Sequence, residues 1–179
     1  MGHLGHFSLQ QLIFRRNIWW SLTLRNDERL LAKAVELHHD LVEEMKTESS
    51  DGDFETQCFF QPFPAFVGQN RSNILGIDRH TSNAVVLLAS LAVNGVDQEK
   101  LGREKMMHWK RELEDYAKDR DGLFEYIYMN YADASQNVIA SYGRQSVCKM
   151  WAVSEKYDAA GVMQSRQPGG FKLPADFRC

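Results

Sequence analysis

The residues of this sequence best suited to chemistry are concentrated in one stretch, EYIYMNYADASQNVIASYG at residues 125–143. Its first part alternates, which predicts a strand with Tyr126 and Tyr128 on one face and Glu125 on the other. Side chains that donate and accept hydrogen bonds follow directly after it: Asn130, Tyr131 and Asp133. Phenols, amides and a carboxylate in this density are typical of a wall that contacts a small ligand.

Three strands and two amphipathic helices are predicted ahead of this stretch and would position it. Residues 17–24 and 55–63 are rich in β-branched and aromatic residues, and residues 84–93 are apolar on both faces, like a central strand. One helix follows Asn26, which offers an N-cap oxygen, and a second follows Asp97. The first helix is predicted to bury an apolar stripe at helical spacing: Leu31, Ala34, Val35, His38, Leu41, Val42 and Met45.

The order of these elements, closed by the strand that begins at residue 124, predicts an α+β fold. Two helices packed on one face of an antiparallel sheet would bury both apolar surfaces, in the ferredoxin-like order βαββαβ. A carboxy-terminal helix over residues 143–156 and an extended tail follow. We divide the chain into an unclear segment at 1–16, an α+β domain at 17–134 and a carboxy-terminal segment at 135–179.

Composition and charge exclude several classes of protein. Of the 179 residues, 44% are hydrophobic and 25% charged, and the net charge of −3 leaves no basic footprint for nucleic acid. The longest apolar run, residues 84–93, is too short for a membrane helix. Because the amino terminus also lacks a signal-peptide pattern, we expect a cytoplasmic protein without nucleic-acid or membrane partners.

The sequence contains no self-sufficient catalytic or metal-binding motif. Cys58, Cys148 and Cys179 are odd in number and widely spaced, and they predict no disulfide framework. Glycine-rich nucleotide loops and the histidine motifs of zinc enzymes are missing, so we predict no metal site. His38 lies on the apolar stripe of the first helix, where a hydrogen-bonded core role is commoner than a catalytic one.

Several short motifs, in a consistent order, carry a resemblance to a known family. They are Phe60-Gln61-Pro62-x-Pro64, Asn73-Ile74-Leu75-Gly76-Ile77-Asp78, Tyr128-x-Asn130-Tyr131-Ala132-Asp133, Ser141-Tyr142-Gly143, Lys156-Tyr157-Asp158 and Pro168-Gly169-Gly170-Phe171-Lys172-Leu173. Between residues 19 and 173 the chain resembles the carboxy-terminal part of berberine-bridge-enzyme-like FAD-linked oxidoreductases. The fungal members that tailor secondary metabolites are the most similar.

The resemblance implies roles for particular residues. Tyr128 matches the position of the proton-abstracting base, while Asn130 and Tyr131 match residues beside the flavin ring. Gln61 and Tyr126 are the implied substrate contacts. From the residues alone, a second interpretation stays open, in which Tyr126 and Tyr128 only pack and their hydroxyls find partners at the sheet edge.

The resemblance also implies FAD as the cofactor, although the chain lacks the glycine-rich loops that would hold its pyrophosphate. We therefore expect a truncated family member, the substrate half of an oxidoreductase, in which a separate flavin-binding lobe or a second copy completes the site for a small-molecule substrate. Two alternatives are a cofactor-free isomerase, cyclase or binding protein, and an inactive remnant or interaction module.

Overall fold

The structure is a computed structural model that describes residues 15–65, 73–175, 177 and 179. The unclear amino-terminal segment, apart from its last two residues, lies outside the described residues, and so does the middle of the connection between the second and third strands.

The centre of the molecule is a four-stranded antiparallel sheet. Its strands are β1 (Arg16–Arg25), β2 (Phe54–Phe63), β3 (Ala84–Val93) and β4 (Leu123–Phe124), arranged in the order β2-β3-β1-β4. β3 covers the predicted range and is flanked by β2 and β1, as its apolar residues on both faces indicated. β2 is an edge strand, which explains how it tolerates Pro62.

Two long helices, α1 (Glu28–Glu48) and α2 (Gly95–Lys118), pack together over one face of this sheet. Between the helices and the sheet lies the main core, whose largest fully buried members are Trp20, Leu24, Leu30, Met45, Leu87, Leu91, Met106, Trp109 and Leu113. The predicted α+β class is therefore confirmed. Along the chain the elements follow the order β1-α1-β2-β3-α2-β4.

Both helices begin differently from the sequence prediction. Asp27, not Asn26, caps α1, because its carboxylate accepts the backbone N–H of Arg29. α2 begins at Gly95, so that Asp97 lies in its first turn and is not the cap.

The stripe that α1 buries is rotated slightly from the predicted one. Leu30 is 1% exposed, whereas Val35 is 51% exposed although the spacing predicted it to be buried. His38 has the expected packing role, since its Nε2 lies 3.1 Å from the hydroxyl of Thr56. The Thr56 hydroxyl donates to the carbonyl of Ser90, so Nε2 of His38 must carry the proton and donate.

The strand predicted from residue 124 to residue 130 is wrong beyond its first residue. β4 ends at Phe124, and Met129–Tyr131 forms a 3-10 turn. Side chains replace the missing ladder, because Ser141 accepts the backbone N–H of Ile127, and the amide of Gln136 bonds to the edge of β1. Alternation of side chains could not reveal this competition for backbone groups.

The segment after β4 contains three helices, α3 (Val138–Ser141), α4 (Arg144–Tyr157) and α5 (Val162–Ser165). α4 matches the predicted carboxy-terminal helix to within one residue at each end. A second apolar cluster holds this segment together, with five buried members: Tyr126, Val138, Ile139, Tyr142 and Val147.

Cys148 and Cys179 form a disulfide that joins α4 to the last residue of the tail. Their Cα atoms are 5.5 Å apart, well within the reach of such a bond. The prediction that the cysteines make no disulfide framework is therefore wrong for this pair, because spacing along the sequence does not reveal proximity in the fold. Within the described residues, no helix is long and apolar enough to cross a membrane.

Candidate functional site

The face of the sheet opposite α1 and α2 is buried in its middle, at Ser21, Thr23, Val86 and Leu88, and exposed toward its two edges, and we call it the open sheet face. Strand register places three rows of side chains on it: Trp19, Ser90 and Gln57; Ser21, Leu88 and Phe59; Thr23, Val86 and Gln61. Trp19 is 41% exposed and Phe59 is 51% exposed. Large aromatic side chains exposed on a sheet, with amides beside them, can contact a flat ligand.

Gln61 lies on this face as an exposed side chain of edge strand β2. Its row crosses β3 and reaches Thr23 on β1, two strand spacings or roughly 10 Å away. The hydroxyl of Thr23 is buried without a hydrogen-bond partner among the described residues. Gln61 therefore lies on the same face of the sheet as Thr23. Thr23 belongs to β1, and residues 125–143, which we call the tyrosine-rich segment, lie along the outer edge of that strand.

Tyr128, Asn130 and Tyr131 come together at the edge of β1. Nδ2 of Asn130 donates to the phenolic oxygen of Tyr128 at 2.9 Å. The rings of Tyr128 and Tyr131 meet edge to face, with centroids 4.8 Å apart. Asn130 is exposed and both tyrosines are half-buried, so this group opens to solvent and is not sealed in a core.

Tyr126 lies in a different environment. It is 4% exposed and stacked parallel on Phe63 with centroids 5.1 Å apart, and the rings of His80 and Tyr142 also contact it. Burial raises the pKa of its phenol, as does the nearby Tyr128. Tyr126 is thus buried beside Tyr128 and Asn130, with no open surface from which a small molecule could contact it directly.

Gln136 connects the tyrosine-rich segment to the sheet, and sequence reasoning missed it. Its Oε1 accepts the backbone N–H of Ser21 at 3.1 Å, while its Nε2 donates to the Ser21 carbonyl at 2.8 Å. Oε1 also accepts the backbone N–H of Asp133. A buried side-chain amide thus forms the hydrogen bonds that a neighbouring strand would form. The periodicity of the sequence could not predict this, because it does not identify a single side chain that bonds to a strand edge.

Arg79 joins two of the motifs that carried the resemblance. Its guanidinium donates to the carbonyl of Ser141 at 2.8 Å and to the carboxylate of Glu125 at 3.1 Å. Gly143 has φ +86°, and a Cβ there would lie 2.7 Å from Cζ of Arg79. The motif glycine thus leaves the room that this arginine needs, a contact that motif spacing alone did not predict.

A cavity of about 250 Å³ lies between the outer edge of β1 and the loop after Tyr131. Its lining comprises Asn17, Trp19, Asn130, Ala132, Asp133 and Ala134. Burial alone would raise the pKa of Asp133, but hydrogen bonds from Ser135 and the Arg103 guanidinium outweigh it and lower that pKa. Asp133 is therefore ionised and already paired, which leaves the Asn130 amide and the Trp19 indole as the groups free for a ligand.

The open sheet face suits the flavin ring of FAD, whereas the two long helices do not suit its pyrophosphate. The open sheet face offers aromatic surface and amides for a flavin ring. By contrast, the N-terminus of α1 carries Asp27, and Asn94 at the start of α2 donates to the carboxylates of Asp51 and Asp53. Asp27 thus caps the positive end of α1, and Asp51 and Asp53 lie beside Asn94 at the start of α2, where their negative charges oppose binding of a pyrophosphate. Among the described residues there is also no group of three or more metal-ligating side chains.

Comparison with curated proteins identifies fungal relatives. The chain is 30% identical over 164 residues to the FAD-dependent monooxygenase drtC of Aspergillus calidoustus, covering 88% of this chain and 31% of that protein. It is 28% identical over 162 residues to the FAD-dependent monooxygenase sdcF of Emericella nidulans, covering 88% of this chain and 34% of the relative. A match to the oligopeptidase PhomG' of Diaporthe leptostromiformis is 30% identical but covers 10% of that protein.

The chain spans about a third of the length of the two monooxygenases that it matches over most of its own length. No family model matches the chain. No solved structure matches it either. At family level the chain is therefore similar to fungal proteins named as FAD-dependent monooxygenases.

Proposed function

We propose that the chain forms the substrate-side wall of an FAD-linked oxidoreductase of the berberine-bridge-enzyme type, which tailors a small secondary metabolite. The observation that carries this proposal is the open sheet face, where the exposed Trp19 borders the Tyr128 and Asn130 pair and the exposed Gln61 lies across the sheet on β2. The monooxygenase names of the relatives support FAD as the electron carrier. A flavin-binding lobe from another part of a longer protein, from a partner polypeptide or from a second copy would complete the site.

Each side chain of the wall has a proposed role. Tyr128 reacts as its phenolate, which accepts a proton from the substrate and becomes the phenol, and the Asn130 amide, which donates to the phenolic oxygen, stabilises the phenolate before the transfer. Tyr131 packs edge-on and fixes the Tyr128 ring. Gln61 contacts the substrate from β2, and Tyr126 supports the wall from behind. FAD, when bound, would supply the acceptor for the electrons removed from the substrate.

A second candidate is a cofactor-free protein that binds or isomerises a small molecule. It is favoured by one observation, the carboxylates beside the N-termini of α1 and α2, which oppose binding of a pyrophosphate. In this case the open sheet face would still hold the ligand, and Tyr128 would still be the group that moves a proton.

Flavin titrations test the first candidate and separate it from the second. The purified chain is titrated with riboflavin and with FAD, and flavin fluorescence polarisation is measured. We expect both flavins to bind with similar affinity, because the chain contacts the ring and does not grip the pyrophosphate. Asn130→Ala should weaken flavin binding about fivefold, the equivalent of one net hydrogen bond.

The matched control is Gln145→Ala, at an exposed amide on α4 that belongs neither to the open sheet face nor to the lining of the cavity. Equal flavin binding by the control and by Asn130→Ala would overturn the assignment of Asn130 to the flavin side of the site. If neither flavin binds but an aromatic phenol does, in a manner sensitive to Asn130→Ala, the second candidate replaces the first.

A further inference from the structure

The outer edge of β1 changes partner along its length. β4 pairs with it only at Thr23 and Leu24, and the Gln136 amide occupies the edge at Ser21. In an antiparallel sheet the backbone N–H and C=O of one residue point to the same side, and the side alternates along the strand. Since both groups of Ser21 point away from β3, those of Trp19 point the same way, roughly 7 Å further along.

The backbone groups of Trp19 therefore face the 250 Å³ cavity, whose lining includes Trp19 itself. Opposite them lies Asn130, an exposed amide whose Nδ2 bonds to Tyr128 and whose Oδ1 receives no hydrogen bond within the described residues. The 41% exposed indole of Trp19 projects onto the open sheet face beside the same opening. Donor, acceptor and aromatic surface thus converge on a space large enough for about one ring.

Gln136 shows which chemical group fits this edge. Its carboxamide presents an oxygen to the Ser21 N–H and a nitrogen to the Ser21 carbonyl, at 3.1 and 2.8 Å. Trp19 is the next residue of β1 whose backbone groups face outward, and it offers the same pair, one N–H donor and one C=O acceptor. At Trp19, however, the cavity separates the strand from the loop after Tyr131. A ligand that carries a carbonyl beside an N–H would satisfy this pair as Gln136 satisfies Ser21.

We propose that the edge of β1 at Trp19 is a binding site for a cyclic amide group, held by the Trp19 backbone with its ring between the Asn130 amide and the Trp19 indole. Two sources share this chemistry: a lactam in the substrate and the imide edge of a flavin ring. For its biological ligand the inference rests on the proposed function, whereas binding at this edge can be measured on the chain alone.

Backbone amide chemical shifts provide the test, since a 20.6 kDa chain is within the range of solution NMR. The isotope-labelled protein is titrated with δ-valerolactam, and separately with lumiflavin as the flavin-ring probe. We expect saturable shifts of the Trp19 amide with a cyclic amide probe. N-methylation of the probe's amide nitrogen should weaken binding about fivefold, because it removes one hydrogen bond to the Trp19 carbonyl.

Filling the cavity gives an independent readout. Ala134→Phe places a ring on an exposed position of the cavity lining and should abolish the Trp19 shift, whereas Ala152→Phe, an equally exposed alanine on α4, should leave it unchanged. A response to δ-valerolactam alone assigns the site to substrate, and a response to lumiflavin alone assigns it to the flavin.

The proposal is overturned if neither probe shifts the Trp19 amide, or if the N-methylated probes shift it equally. Such a result leaves the proposed function standing, because the flavin titrations depend on the Asn130 side chain and do not require the backbone groups of Trp19. Conversely, lactam binding at Trp19 in a chain that binds no flavin would contradict the proposed cofactor and not this site.

Discussion

The sheet with its two long helices, residues 16–124, and the segment that follows, residues 125–175, are stabilised in different ways. The first is joined by continuous backbone ladders between ten-residue strands and by one large apolar core. The second has a smaller cluster and is attached through single side chains, notably Gln136, Arg79 and Arg103. Global stability should therefore reside in the first region, while the second holds the candidate site and should open locally.

The largest expected effect is a truncation in the main core. Leu91 on β3 is fully buried and lies against Gly102 of α2, where a Cβ would be 2.7 Å from its Cδ2. Leu91→Ala should lower the free energy of unfolding by about 2–5 kcal/mol, from lost burial and a residual cavity. Urea unfolding followed by far-UV circular dichroism measures this. Val96→Ala, which truncates a 63% exposed side chain, is the control; equal losses would contradict the assignment of the core.

Loss of the disulfide should affect the second region alone. Cys148 and Cys179 are 31 residues apart, and closing such a loop stabilises by up to about 3–4 kcal/mol in the chain-entropy account. Cys179→Ser should therefore loosen α4 and the tail, seen as faster amide exchange there, while the exchange of β3 stays unchanged. Cys58→Ala is the control, because it removes a cysteine that is not part of the disulfide. Burial raises the pKa of the Cys58 thiol to about 12, so this thiol stays protonated. A matching loss of protection in β3 would show that the two regions unfold as one.

Removing the Gln136 side chain tests how the second region is attached to the first. Gln136→Ala leaves the N–H and C=O of Ser21 without partners at a buried edge, which should cost about 1–3 kcal/mol. Amide exchange of Ser21 should accelerate, and the tyrosine-rich segment should move away from β1. Gln145→Ala again serves as the control, and unchanged exchange at Ser21 would show that another group supports this edge.

Sequence patterns predicted the first region well because its physics is periodic. The limits of β3 followed from a run of apolar residues, and α+β packing followed from two amphipathic helices between strands. Errors there were local, such as the choice between Asn26 and Asp27 as the cap, where neighbouring side chains compete for the same backbone donors.

The second region was predicted less well because individual side chains decide its structure. The alternation that predicted a strand from residue 124 to residue 130 describes which faces residues occupy, but not whether a neighbouring strand is available. Gln136 occupies that place instead, and Arg79 meets Ser141 across 62 positions of sequence. The motifs did identify Tyr128, Asn130 and Tyr131, which lie together, whereas they did not show that Tyr126 is buried behind them.

The smallest expected effect is a pH dependence from His80, which lies where the two regions meet. Its ring is 7% exposed among Phe63, Phe124 and Tyr126, with Nε2 lacking a hydrogen-bond partner among the described residues. Burial lowers the pKa of His80, the Arg79 guanidinium lowers it further, and the carboxylates of Glu125 and Asp78 oppose this only in part. The folded state therefore prefers the neutral ring.

Because the unfolded chain binds this proton more readily, stability should be complete above the ~6.5 of a free histidine and should fall as the pH drops below it. Burial likewise lowers the pKa of His38 in the main core, so His38, in the first region, contributes part of the change of stability with pH. His80→Phe should remove only the share of His80, measured as the difference in melting temperature between about pH 7.5 and about pH 5.5, on either side of the free-histidine value. His108→Gln, at an exposed position of α2, is the control and should keep the pH dependence of the unsubstituted protein. If His80→Phe also keeps it, the aromatic contact between the regions does not depend on the charge of His80.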